Sequence, residues 1–198
     1  MLVYNSRFVG SPILSVQAGG LVARVSSPII DPDNLKIIGL ITTNRPPANI
    51  LDISSIREYS RYGMVIDSID ELVTSSDVIK IEKALALNFT LPGKKVITKK
   101  GSRLGKVYDF TFDSDSFMVQ QLIVDRPLLR NFTESGLTIP RHEIIEITDD
   151  KIIIKDEAKT IKARAAKEDF IPNFVNPFRT QEPGFSPTQT KTPDEPNT

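Results

Sequence analysis

The chain's one histidine, His142, follows Pro140-Arg141 and stands beside Glu143, with Glu146 close behind. An imidazole among carboxylates is the start of a general base or of half a metal site, but a metal centre needs partners at ligand spacing, and here there is no second His and no Cys. His142 therefore reads as a surface residue. Two aspartate pairs, Asp31/Asp33 and Asp113/Asp115, open like a calcium loop. Leu35 and Phe117 then occupy the fifth position, and the glycine and glutamate that should follow are missing, so the pairs read as turn formers. Gly101 and Gly105-Lys106 are one residue too close together for a phosphate loop, and Val107 stands where a hydroxyl is needed. The glycines read instead as turn and close-packing positions. Without Cys, disulfides, thiolate zinc sites and cysteine nucleophiles are excluded together. The sequence thus indicates no catalytic residue, no metal and no cofactor.

What remains is charge. Lys94, Lys95, Lys99, Lys100, Arg103 and Lys106 form a run with no acidic residue between Gly93 and Tyr108. Since 25 basic residues balance 25 acidic ones, no global field draws the chain to a polyanion, and a charged partner must be met by a local patch such as this one. The first half of the chain offers a comparison: Ser11 to Gly20 contains no basic residue. The competing reading is a solvated strand edge kept positive against edge pairing. Beyond the run, Tyr108, Phe110 and Phe112 alternate as core residues and do not match the RNA-recognition strand signature. A second candidate contact lies near the C-terminus, where Phe174 and Phe178, flanked by Phe170 and Phe185, sit among prolines at 172, 177, 183, 187, 193 and 196. Such a stretch cannot bury enough apolar surface to offset its ordering entropy, and it reads as a disordered tail able to dock its rings in a groove.

The elements that hold these residues follow from patterning. A chain of 198 residues with 39% hydrophobic content fits one ordinary domain or two small ones. Its short Val/Ile/Phe runs bounded by Gly, Pro, Asp and Asn indicate hairpins of an all-β fold. Sliding the sequence by 82 positions, from Gly19 to Gly101, also places Val25 on Val107, Asp31 on Asp113, Leu35 on Phe117 and Leu40 on Leu122. Leu51–Ile56 then parallels Leu137–His142, and Met64–Ile66 and Lys151–Ile154 supply a short strand to each copy. Between the copies Val78, Ile81 and Leu85 recur at helical spacing behind Ser76 and Asp77 as caps, and Ala158, Ile161 and Ala165 suggest a second helix. The longest uncharged stretch near the start, Phe8 to Ala23, is interrupted by Gly, Ser, Pro and Gln, so neither a signal-peptide core nor a membrane span is expected and the cytoplasm is the expected compartment.

Gly101-Ser102-Arg103-Leu104-Gly105-Lys106-Val107-Tyr108-Asp109, with Asp113 and the strand from Phe117 to Val124, resembles the PRC-barrel, a small β-barrel family. The resemblance covers roughly residues 8 to 80 and 90 to 158. In the first copy Gly105-x-Val107-x-Asp109 becomes Ala23-x-Val25-x-Ser27, and Pro28 suggests a bulge or an edge. Gly19, Val25, Asp31, Gly101, Gly105, Val107, Asp109 and Asp113 are then positions that maintain the barrel. Known members occur at the C-terminus of a ribosome maturation factor, in the cytoplasmic part of the photosynthetic reaction-centre H subunit, and as stand-alone tandem proteins. Together with the patterning above, the resemblance implies a mainly β chain: two tandem barrels over residues 1–75 and 90–158, joined by a helical linker over 76–89, with a short helix over 159–169 and a disordered tail over 170–198. It further implies protein docking, hence a non-catalytic adaptor or assembly module with a protein partner. The alternatives are an RNA- or ribosome-associated factor using the basic hairpin, and an enzyme whose site the residues do not reveal.

Overall fold

A computed structural model describes residues 1–44, 46–125 and 137–156, and the backbone of 161–162. The fold is mainly β. Strand β1 (Leu2–Tyr4) and one turn of helix, α1 (Asn5–Phe8), are followed by β2 (Pro12–Ser15), β3 (Gly20–Asp31), β4 (Lys36–Thr42), β5 (Ile50–Asp52), β6 (Glu58–Ser60), β7 (Gly63–Ile66) and β8 (Leu72–Val73). Helix α2 (Ile79–Ala86) leads to β9 (Lys95–Thr98), β10 (Arg103–Asp113), β11 (Val119–Asp125), β12 (Leu137–Pro140), β13 (Ile144–Ile147), β14 (Lys151–Ile154) and β15 (Ile161–Lys162). Among the described residues no helix is long and apolar enough to cross a membrane.

Two sheets result, ordered β6-β7-β2-β3-β4-β5-β8 and β13-β14-β9-β10-β11-β12-β15. The second order is the first advanced by seven strands. Each contains one parallel pair, with Ile13 opposite Met64 in the first and Val96 opposite Ile152 in the second. Each also has a register shift at the same place, between Val25 and Ser27 and between Val107 and Asp109. The aspartate turns behave alike. Asp31 accepts from the Asp33 amide at 3.0 Å, and Asp113 from the Ser116 amide at 3.1 Å and its hydroxyl at 2.9 Å, which lets Leu35 and Phe117 adopt φ of 54° and 56°. These two residues then meet: the Ile37 amide donates to the Phe117 carbonyl and the Val119 amide to the Leu35 carbonyl, both at 2.9 Å. The hairpin tips thus pair reciprocally, and one core runs through both sheets, with Phe8 packed edge-on against Phe112 and Tyr59, and Phe117 stacked on Phe112. Met1 to Ala165 form one compact unit.

Four expectations change. Residues 1–8 do not belong to the first sheet. β9 meets β10 only at Arg103, Gly105 and Lys106, leaving the far end of β10 unpaired on that side, and β1 fills it with Leu2 opposite Asp113 and Tyr4 opposite Thr111. The inter-copy helix is shorter than 76–89: Asp77 accepts from the Thr74 amide at 2.8 Å and so closes a 3-10 turn at Ser75–Asp77, and α2 starts after Val78. This helix is not the joint between the sheets; Ile81 and Ala84 pack on Ile29, Ile38 and Ile50 of the first. At Ile161–Lys162, within the expected helix 159–169, the backbone pairs as a strand with Thr138 and Leu137, because the edge of β12 offers it the ladder bonds that β5 offers β8. The rest of that segment and the tail, including Phe174 and Phe178, lie outside the described residues.

Candidate interaction site

The basic run divides on folding. Lys94 turns inward and is only 9% exposed. Its ammonium donates to the carbonyls of Thr148 at 3.0 Å and Asp149 at 2.5 Å and lies 4.8 Å from the centre of the Phe89 ring. It is a structural clamp on the turn before β14, and its place among the partner-binding residues is corrected: a lysine stem buries readily when its head finds carbonyl acceptors. Lys95, Lys99, Lys100, Arg103 and Lys106 are exposed. Lys99 and Lys100 occupy the β9–β10 turn, where Gly101 (φ 86°) reverses the chain and the Lys100 amide donates to Asp156 at 2.8 Å.

Strand pairing adds a residue that linear spacing conceals. Lys95 of β9 is opposite both Lys106 of β10 and Lys151 of β14, and all three are exposed. Their inward neighbours Val96, Val107 and Ile152 are buried, so the lysines form one row across the outer face of three strands. The next row is Ile153, Ile97 and Arg103. Among the described residues, none of Lys95, Lys99, Lys100, Arg103, Lys106 and Lys151 makes an ion pair within 4.0 Å.

Tyr108 joins this face. Alternation with Phe110 and Phe112 predicted it in the core, and those two are buried, but Tyr108 is 72% exposed. The register shift between Val107 and Asp109 makes Tyr108 the extra residue of a bulge and turns it outward. The same bulge leaves Asp109 5% exposed, accepting from the Ser6 hydroxyl at 2.6 Å, the Ser6 amide at 3.2 Å and the Phe110 amide at 2.8 Å. Asp109 thereby fastens α1 to the second sheet. Gly105, at φ 143°, admits no side chain, since a Cβ would come within 2.0 Å of the Asp125 carbonyl oxygen.

The first sheet carries the same row with other chemistry. Pro12 is opposite Arg24, whose guanidinium donates to the Gly10 carbonyl at 3.0 Å, and Gly63 lies so close to Pro12 that a Cβ would meet its carbonyl oxygen at 2.5 Å. Its second row is Val65, Leu14 and Leu21.

His142 lies elsewhere, beside an open cleft of about 620 Å³ that it shares with Asp113, Gln120, Gln121 and Arg141. Its Nε2 is 3.2 Å from Glu143, while Arg141 donates to the Asn34 carbonyl at 2.7 Å and so ties the second sheet to the first hairpin tip. The hydrogen bond from the amino group of Met1 at 2.9 Å, with those from Ser116, holds the Asp113 carboxyl down at about 2. Arg141 and Asp113 are thus engaged in holding the tips.

Residues 89–161 match the family model of the PRC-barrel domain. Strands β9 to β14 and the lysine row fall within the matched residues. No curated protein matches the chain.

Proposed function

We propose that this PRC-barrel protein is a non-catalytic cytoplasmic interaction module, an adaptor or assembly part built on a duplicated barrel scaffold, and that it receives a protein partner on the outer face of β14, β9 and β10. The observation that carries the reading is the row Lys151–Lys95–Lys106. Like charges directly opposite on neighbouring strands disfavour the sheet, by up to about 1 kcal/mol a pair. The first sheet builds the same strand order with glycine, proline and arginine there, so the fold does not need the lysines. An anionic partner would relieve the repulsion, and Tyr108 and Arg103 are residue types that anchor protein interfaces.

An RNA- or ribosome-associated role is the second reading, favoured by the same lysines together with an exposed aromatic ring. Capture from the native cell, comparing the full chain with a Lys95→Glu/Lys106→Glu/Lys151→Glu variant, tests the module. The expected result is a discrete set of proteins retained by the first and lost by the second, at equal thermal stability. Equal capture by both would refute the assignment, and ribonuclease-sensitive capture would move it to the second reading.

A further inference from the structure

We infer that the lysine row receives an acidic, extended protein segment, one that presents two carboxylates and an adjoining apolar side chain, and not a nucleic acid or a lipid surface. The inference rests on the interaction reading above and adds the chemistry of the partner.

The positive face is narrow. Strands lie about 4.8 Å apart, so the row from Lys151 to Lys106 is only about 10 Å wide. It is also bounded by acids: Asp125 is opposite Lys106 at one end, Glu146 is opposite Ile153 on the far side of β14, and Asp149 and Asp150 precede Lys151 in the turn. Asp125, Glu146, Asp149 and Asp150 are exposed. A duplex, a long single strand or a bilayer would carry negative charge over these carboxylates as well as over the lysines, and like-charge juxtaposition across an interface disfavours such partners. The chain's zero net charge offers no wider field in compensation.

A short acidic segment escapes that penalty. In an extended chain the side chains of residues i and i+2 share a face about 7 Å apart, a span that fits within the three ammonium groups. Beside the row, the half-buried Ile97 and Ile153 present apolar surface between the lysines and Arg103. That surface suits an aliphatic side chain and has nothing to offer a phosphate. Tyr108, two residues along from Lys106, adds an aromatic wall.

The test titrates the full chain, isotope-labelled for NMR, with four probes at one physiological ionic strength: a synthetic peptide of alternating Glu and Val, the same peptide with Gln for Glu, poly-uridine RNA, and phosphatidylglycerol vesicles. The expected result is binding of the Glu peptide with shifts centred on the amides of Lys95, Ile97 and Lys106. The Gln peptide should be silent, and Lys95→Glu/Lys106→Glu should lower affinity by about tenfold or more with the melting temperature unchanged. Absence of Glu-peptide binding, or tighter retention of RNA or vesicles, overturns the inference. If native-cell capture still depends on the lysines, only the partner chemistry is wrong; if it does not, the interaction reading falls too.

Discussion

At the scale of single residues, two members of one sequence motif owe their identity to different physics. Gly101 needs its positive φ at a turn with open space around it, whereas Gly105 needs the absence of a Cβ because the Asp125 carbonyl occupies the place. Gly101→Ala should therefore cost about 1 kcal/mol in denaturant unfolding, and Gly105→Ala about 3 kcal/mol or more. Equal costs would show that the close approach at Gly105 is not real. The first sheet has Ala23 opposite Ile13 where the second has Gly105 opposite Val96, so the glycine motif is absent from the first sheet. The basic run separates in the same way. Lys94→Met leaves two carbonyls without their donor and should destabilise by about 1–3 kcal/mol in chemical denaturation while partner capture is retained. Lys95→Glu should do the reverse, and loss of capture in Lys94→Met at unchanged stability would return that lysine to the docking face.

Among the elements, the hairpin tips carry a pH dependence. Asp113 is depressed in the fold to about 2 from 3.8, by the amino group of Met1 and by Ser116, so its contribution is fully present above pH 3.8 and is lost as pH falls toward 2. The melting difference between the wild type and Asp113→Asn should be constant from neutral pH down to about 5 and shrink below pH 4; a difference that persists at pH 2 would contradict the bond. These turns were legible in the sequence, since Asp, Asn and Ser form them by local bonds, and the offset between Gly19 and Gly101 exposed the matching hairpins. Strands β1, β8 and β15 were not legible. Each has two or three residues and exists only because a neighbouring edge supplies its bonds, which no local period records. Tyr108 failed for a related reason: one bulge reverses the inside–outside alternation, and a bulge is a property of the pair of strands. The lysine row was half legible, as Lys95 and Lys106 lie in one run, but Lys151 comes to it through parallel pairing of β14 with β9.

For the molecule as a whole, the reciprocal tip bonds and the aromatic cluster of Phe8, Tyr59, Phe112 and Phe117 make one cooperative body of two sheets. Phe8 is fully buried with rings from both sheets against it, so Phe8→Ala should cost about 3–5 kcal/mol and lower a single melting transition seen identically by far- and near-ultraviolet circular dichroism. Two separated transitions would show that the sheets fold independently. The second sheet packs its inner face on that core, and we propose that its outer lysine face, whose cations make no ion pair among the described residues, is the platform a partner meets. Hydrogen–deuterium exchange of the chain alone and in its captured complex tests that claim most directly. Protection confined to the segments around Lys95–Lys99, Arg103–Tyr108 and Lys151 is the predicted result. Protection instead at Gln120, Gln121 and Arg141, or at Leu14 and Leu21 of the first sheet, would contradict it.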